Sequence, residues 1–468
     1  MLSPPHQGDA RRAARGRGAS SRRPPAAGLR ASRAGKSSRG VPDVSALREA
    51  LRGWTRDCIR RPHLRFRHPW LAPMPLSPAA ARVLAGKASA GQRASASGDG
   101  FSSGDYSLGL FHHDASEASI ALLEEEEFQA AAAGSLLCLL DCADPDGRVH
   151  RAELPHKARE AEPAKPVIAQ YALRCARALG PEWADRHRVY PRVVAFQRWQ
   201  ERHLAGLHGL FLTWSSLQSG FDTDVLSAGF PDRSVEGPDT SAFMVLEYEA
   251  LADLARLVGR EGESDEWLES AARLRVRIEE LLWNEALGHY VALRWSHGVG
   301  APDAEIVGTR DLDGVVTPFV SWTGLLPLYA GVPSKARARR MAEVLLRPEG
   351  FWGPVGIRTC PADDIYFQQS PRVLLYDFKK ERRGPVSNWS GPVWVLSSYY
   401  LAEGLARYGF ARPARELAVK TARLMADDLA RTGVLHECWD DAGVGLWPRR
   451  GTFASWNVLG PWMLDRLA

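Results

Sequence analysis

Two short stretches hold acids in settings that an ordinary loop does not need. Leu217–Asp224 reads LQSGFDTD and Val434–Gly445 reads VLHECWDDAGVG. In the first, Ser219-Gly220-Phe221 leads into Asp222; the glycine allows close approach and the aromatic lowers the local polarity. In the second, Glu437 follows an apolar pair, stands between His436 and Trp439, and precedes a Gly-rich loop. Carboxyls held beside aromatic walls have raised pKa values. Two carboxyls, one protonated to release a leaving oxygen and one ionised as base or nucleophile, are what cleavage of a glycosidic bond requires. The competing reading of each stretch is a solvated turn, and among 55 acidic residues composition alone does not choose.

Aromatic residues give a second signal. Eight of the sixteen tryptophans fall between Trp322 and Trp462, most of them in or beside loops. Indole offers a flat apolar face and one N–H donor, which suits the C–H faces and hydroxyl rims of sugars; core staples between helices are the alternative use. Trp389 and Trp394 bracket the SGPV of Ser390–Val393. The stretch CADPDGRVHRAE at 142–153 nearly matches a calcium loop, but its first position is Cys142 and Pro145 falls inside it. A helix–turn–helix link with DPDG as the turn is the better reading. Nucleotide-binding glycine motifs and HExxH are missing from the chain, and no metal or cofactor is expected. Glu124–Glu127 reads as a solvated helix face.

These residues need a scaffold, and the sequence indicates a helical one. Met244, Tyr248, Leu251, Ala255 and Val258 step by three and four after the cap candidate Asp239-Thr240, with Gly259 closing the run. Trp267, Ala271, Leu274, Ile278 and Leu281 repeat the spacing. Further helices are expected over Gly391–Tyr408, from near Pro413, and over Trp456–Leu467. Strand-like runs are too few for a sheet-based fold. Helical hairpins joined by alternating short and long loops fit an all-α (α/α) toroid; a helical solenoid is the alternative, but no fixed-period repeat is visible.

Charge separates the ends of the chain. The 468 residues carry a formal +5, but residues 1–42 hold ten Arg/Lys and one Asp, leaving 50 basic against 54 acidic residues in the remainder. The body is therefore not basic, and no nucleic-acid groove is expected. The tail cannot bury enough surface to order itself. Its Arg- and Ser-rich, acid-poor composition fits an organellar transit peptide as well as an untargeted extension. No run is long enough to span a bilayer. The scattered cysteines, with no CxxC pair, suit a reducing compartment, so an intracellular site, cytoplasmic or organellar, is expected.

SNWSGPVWVLSSYYLAEGLARYGF (387–410) resembles a block of the helical-toroid glycosidases, the trehalase-like and processing α-glucosidase-like glycoside hydrolases of families 37 and 63, which include glucosylglycerate and mannosylglycerate hydrolases. QSGFDTD (218–224), DTSAFMVLEYEALADLARLVG (239–259) and LHECWDDAGVGLWPRRGTFASWNVLG (435–460) are similar to three further blocks in the same order, so that the resemblance covers roughly 110–465. It implies an (α/α)6 toroid and an inverting hydrolysis of a small α-linked glycoside. Asp222 is then the general acid and Glu437 the general base. Trp389, Gly391, Trp394 and Trp456 line the sugar subsite, Arg358 reaches hydroxyls, and Gln218 and Asp114 belong to the substrate site. The chain departs from the family where Gln218 replaces a glutamate and Thr223-Asp224 replaces Asn-Ser. The early W-D-[ST] block is present only as His113-Asp114-Ala115.

The expected organisation is therefore a disordered extension over 1–42, a partly structured segment with a low-complexity linker over 43–105, and a catalytic domain over 106–468. The expected partner is a small carbohydrate, with oligomeric state open. A catalytically degenerate sugar-binding toroid is the alternative, and a toroidal lyase or epimerase would need other motifs.

Overall fold

The computed structural model describes residues 41–63, 65–76, 81, 103–154, 162–295, 304–367, 389–448 and 451–468. The tail over 1–40, nearly all of the 76–105 linker, and Ser387-Asn388 of the 387–410 block lie outside the described residues.

The inner helices follow one another round a closed ring. His112–Leu122 packs on Ile168–Leu179, that on Pro238–Leu257, and that on the short helix Leu326–Tyr329. Leu326–Tyr329 meets Val395–Arg407, which meets Leu459–Leu467, which returns to His112–Leu122. Outer helices cover this ring: Glu126–Asp141, Val189–Leu204, Glu261–Leu281 and Ala411–Thr432 each pack on an inner partner. This is the arrangement of an (α/α)6 toroid, mostly helical as expected. Although the sequence reading set 43–105 apart, Ser45–Cys58 packs on Ala411–Thr432 and on the 3-10 turn Ser455–Val458, with Arg48 paired to Asp465.

Helix ends follow local chemistry, not always at the expected residue. Pro238 opens its helix after Gly237, ahead of the Asp239-Thr240 pair, because its fixed φ suits the first turn. The helix expected from Gly391 begins only at Val395, because Val393–Trp394 is drawn into antiparallel pairing with Cys438–Trp439. The expected DPDG turn forms, closed by Gly147 N on Asp144 O, but it leads into the strand Ala152–Glu153 and not directly into a second helix. Asp144 accepts from Arg148 at 2.7 Å and Asp146 from the Trp199 indole at 3.0 Å, so protein donors take up both carboxylates. Among the described residues, no helix is long and apolar enough to cross a membrane.

Short strands stitch the loops at the ring's mouth. Cys438–Trp439 pairs on one side with Val393–Trp394 and on the other with Gly445–Trp447, while Leu110–Phe111 pairs with Ala152–Glu153. Beneath them lies an aromatic floor. Phe221 meets Trp322 and Trp389 at 4.7 and 4.9 Å between centroids, and Trp389 stacks on Trp394 at 3.8 Å.

Candidate active site

The loop that follows Leu212–Thr213 is a chain of tight turns. Ser219 N donates to Ser215 O, Gly220 N to Leu217 O, and Phe221 N to the Ser219 hydroxyl. Phe221 anchors the loop in the aromatic floor, which leaves Asp222 half-buried at its tip. On the far side, Thr223 Oγ1 accepts from Trp389 N at 2.7 Å and Thr223 O from the Ser390 hydroxyl at 2.9 Å. Asp224 turns away from Asp222. Its carboxylate accepts from the Ser321 hydroxyl, from Thr323 Oγ1 at 3.1 Å and from Leu226 N at 2.9 Å. Thr223 and Asp224 thus fasten the loop, and neither lines the cavity that Asp222 faces.

Glu437 is held as tightly. Its N–H donates to Trp447 O, and its neighbour His436 directs both N and Nδ1 to the buried Asp428, the ring nitrogen at 2.8 Å. Asn457 Nδ2 donates to His436 O at 2.8 Å. Gly445 permits this packing, since a Cβ there would lie 2.1 Å from the His436 ring.

The two acids face one cavity, lined also by Asp114, Tyr106, Arg151 and His113, with Trp389 and Trp456 as aromatic walls. Three carboxyls sharing one largely buried pocket cannot all ionise at ordinary cost. Burial pushes Asp114 up to about 7, opposed by its hydrogen bond from Ser455 at 2.8 Å and reinforced by the field of Asp222. Burial also raises Glu437 well above the carboxylate range, and the fields of Asp114 and Asp222 push the same way. Tyr106 registers all three acids: burial first, then Glu437, Asp114 and Asp222, hold its phenol protonated. Among the described residues, no group of three or more His, Cys, Asp or Glu is arranged to hold a metal.

The cavity brings together Asp114, Asp222, Glu437, Trp389 and Trp456 of the residues singled out from the sequence. Trp394, Gly391, Gln218 and Arg358 are not among its lining. Trp394 is fully buried behind Trp389, and Gly391 N is bound to Thr359 Oγ1 at 2.9 Å. Gln218 is buried with its amide between Trp214 N at 3.2 Å and Ala164 O at 3.4 Å, so it braces the loop. Arg358 is engaged elsewhere: Asp441 takes Nε and Nη2 at 2.8 and 2.9 Å, and the carbonyls of Pro348 and Gly350 take Nη1. Four of its five N–H donors thus tie loops together, away from the cavity that the acids line. Tyr106, Phe111, His112 and Arg151 escaped the sequence reading as site residues. Tyr106 follows a Ser/Gly-rich run with no helical pattern, and Arg151 sat inside the calcium-like stretch.

The mannosylglycerate hydrolase MGH1-like glycoside hydrolase domain matches residues 128–446 of this chain. A mannosylglycerate hydrolase of Thermus thermophilus is 32% identical over 168 residues, 36% of this chain and 30% of the relative. Mannosylglycerate hydrolase MGH2 of Selaginella moellendorffii is 32% identical over 109 residues, 23% of this chain and 18% of the relative. The alignments thus span less than a third of either relative. Among solved structures, a GH63 mannosylglycerate hydrolase from Thermus thermophilus in complex with glucose superposes with a TM-score of 0.56 at 21% identity, covering 76% of this chain and 93% of the other. The same protein has been solved with Tris and D-glycerate. Neutral trehalase Nth1 from Saccharomyces cerevisiae gives 0.54 at 16% identity, over 77% of this chain and 72% of the trehalase. At these identities the structural likeness speaks for the fold.

Proposed function

We propose that this chain, which belongs to the mannosylglycerate hydrolase MGH1-like glycoside hydrolase family, hydrolyses a small α-linked glycoside of the mannosylglycerate kind with inversion at the anomeric carbon. The observation that carries the reading is the convergence of Asp222 and Glu437 on one aromatic-walled cavity from positions 215 residues apart. Asp222, at the tip of a braced loop, donates a proton to the leaving oxygen. Glu437 takes a proton from the water that attacks the opposite face of the sugar. Inversion places the two carboxyls roughly 6.5–9.5 Å apart, leaving room for that water. Asp114, fixed by Ser455, accepts from a sugar hydroxyl, and Trp389 and Trp456 cover the apolar faces of the ring. An acidic aglycone such as glycerate would be met by Arg151, which lines the same cavity.

Sugar release from α-mannosylglycerate, α-glucosylglycerate, trehalose and methyl α-mannoside by wild type, Asp222→Asn and Glu437→Gln tests the reading. A glycerate-linked glycoside is expected to be cleaved fastest, and each variant to lose about 10²–10⁴-fold, the scale of general acid–base catalysis. Sugar binding without turnover across the panel would instead establish a degenerate, sugar-holding toroid.

A further inference from the structure

Lys165 lies behind the loop that carries Asp222, and the cleavage scheme gives it no task. It is 1% exposed, a burial lysine tolerates only with compensating partners. Nζ donates to the Ser219 carbonyl at 2.8 Å and lies 3.5 Å from the Phe221 ring centroid and 4.1 Å from that of Phe243. The ammonium therefore grips the acid loop twice, at the carbonyl three residues before Asp222 and at the ring immediately before it. Asp239, Glu117 and Asp224 supply the negative field around it, while burial lowers its pKa to about 7.

The backbone of Lys165 is fixed from the cavity side. Its N–H donates to His112 Nε2 at 2.8 Å, and His112 Nδ1 lies 2.7 Å from the Arg151 carbonyl. A carbonyl only accepts, so Nδ1 carries the proton and Nε2 the lone pair. The ring is neutral, in keeping with burial that pulls its pKa down to about 3. Lys165 thus spans from the cavity wall at His112 to the underside of the acid loop. Its field registers on Glu117 and Asp239, both behind that loop.

We propose that the Lys165 ammonium is a positioning residue for the acid loop, setting the direction in which Asp222 enters the cavity by pinning the Ser219 carbonyl and the Phe221 ring. This rests on Asp222 being the proton donor. The loop amides Ser219, Gly220 and Phe221 are all hydrogen-bonded, so their hydrogen exchange reports the pinning without any substrate. In Lys165→Met, which keeps the stem and removes charge and donor, exchange over 215–226 should quicken tenfold or more, with Pro238–Leu257 and Val395–Arg407 unchanged. On the glycoside that wild type cleaves, kcat should fall about 10²-fold, as expected for a misplacement near 1 Å, with KM within about threefold. Lys165→Arg should recover part of the loss. If the methionine variant does not fold, Lys165→Gln, which keeps a donor without the charge, is read in the same way. Wild-type exchange over 215–226 in a folded Met or Gln variant overturns the proposal, as does a rise in KM with kcat preserved. If wild type cleaves nothing in the panel, the functional reading fails, and exchange alone decides the positioning role.

Discussion

A single methyl group at Gly220 tests how the site is built. The residue has φ of +75°, and left-handed backbone costs a non-glycine residue roughly 1–2 kcal/mol. A Cβ there would lie 2.5 Å from Nδ1 and 3.0 Å from Cε1 of His113, about 1 Å inside ordinary contact between non-bonded atoms. The ring has little freedom to retreat. It stands on an inner helix with Nε2 3.3 Å from the Tyr400 hydroxyl, and it packs on Phe221 and Trp456 at 5.8 and 5.7 Å between centroids. Overpacking of this kind costs about 1–3 kcal/mol, so Gly220→Ala should lose about 2–5 kcal/mol in all. With about 430 residues at roughly 2.1 cal/mol/K each, unfolding entropy is about 0.9 kcal/mol/K, and Tm should fall by about 2–6 °C. Strain relieved by a loop shift carries Asp222 with it, at a cost of about 10²-fold in kcat. Thermal unfolding and steady-state kinetics on one preparation measure both. In a His113→Ala background the clash is absent, so Gly220→Ala should cost less there than in the wild type. A Gly220→Ala protein with wild-type Tm and wild-type kcat would refute the reasoning.

The acid limb of kcat/KM should lie above the usual carboxylate range of about 4–4.5, because Glu437 must be ionised to act as base and burial, Asp114 and Asp222 all raise its pKa. Activity is lost as pH falls through that raised value. Asp114→Asn removes one of the negative fields and should move the limb down; a limb that stays in place contradicts the shared-pocket electrostatics. Asp224 is raised by burial from 3.8 to about 7, so between those values the native state binds this proton more tightly than the unfolded chain does. Its contribution is fully present below the lower value and is lost as pH rises through the upper one. Asp224→Asn should therefore flatten the dependence of urea midpoints on pH between about 4 and 7, and equal slopes in the two proteins would rule this out.

The long helices were legible because apolar residues that the fold buries recur along them every three or four positions. Met244, Tyr248, Leu251 and Ala255 are buried on one helix, and Trp267, Ala271, Leu274 and Ile278 on the next. The ring closure was not legible, since it depends on pairings between helices hundreds of residues apart. Two-residue strands are too short to show alternation, so the pairing that delays the helix start to Val395 left no sign in the sequence. The aromatic signal was real but could not be divided. Trp389 and Trp394 stack on each other, and only the first lines the cavity. Arg358 illustrates the same limit, for a guanidinium held by a carboxylate and two carbonyls reads in sequence like one waiting for a ligand. Lys165 carried no signal at all, because its meaning lies in a carbonyl and two rings brought to it by the fold.

The stereochemistry of the first product tests the central claim most directly. Proton NMR of the α-mannosylglycerate reaction, recorded before mutarotation, should show β-mannose appearing first and the α-anomer only later. Asp222→Asn and Glu437→Gln should abolish that early signal. Early release of α-mannose would contradict the inverting acid–base pair, as would the β signal persisting at the wild-type rate in either variant.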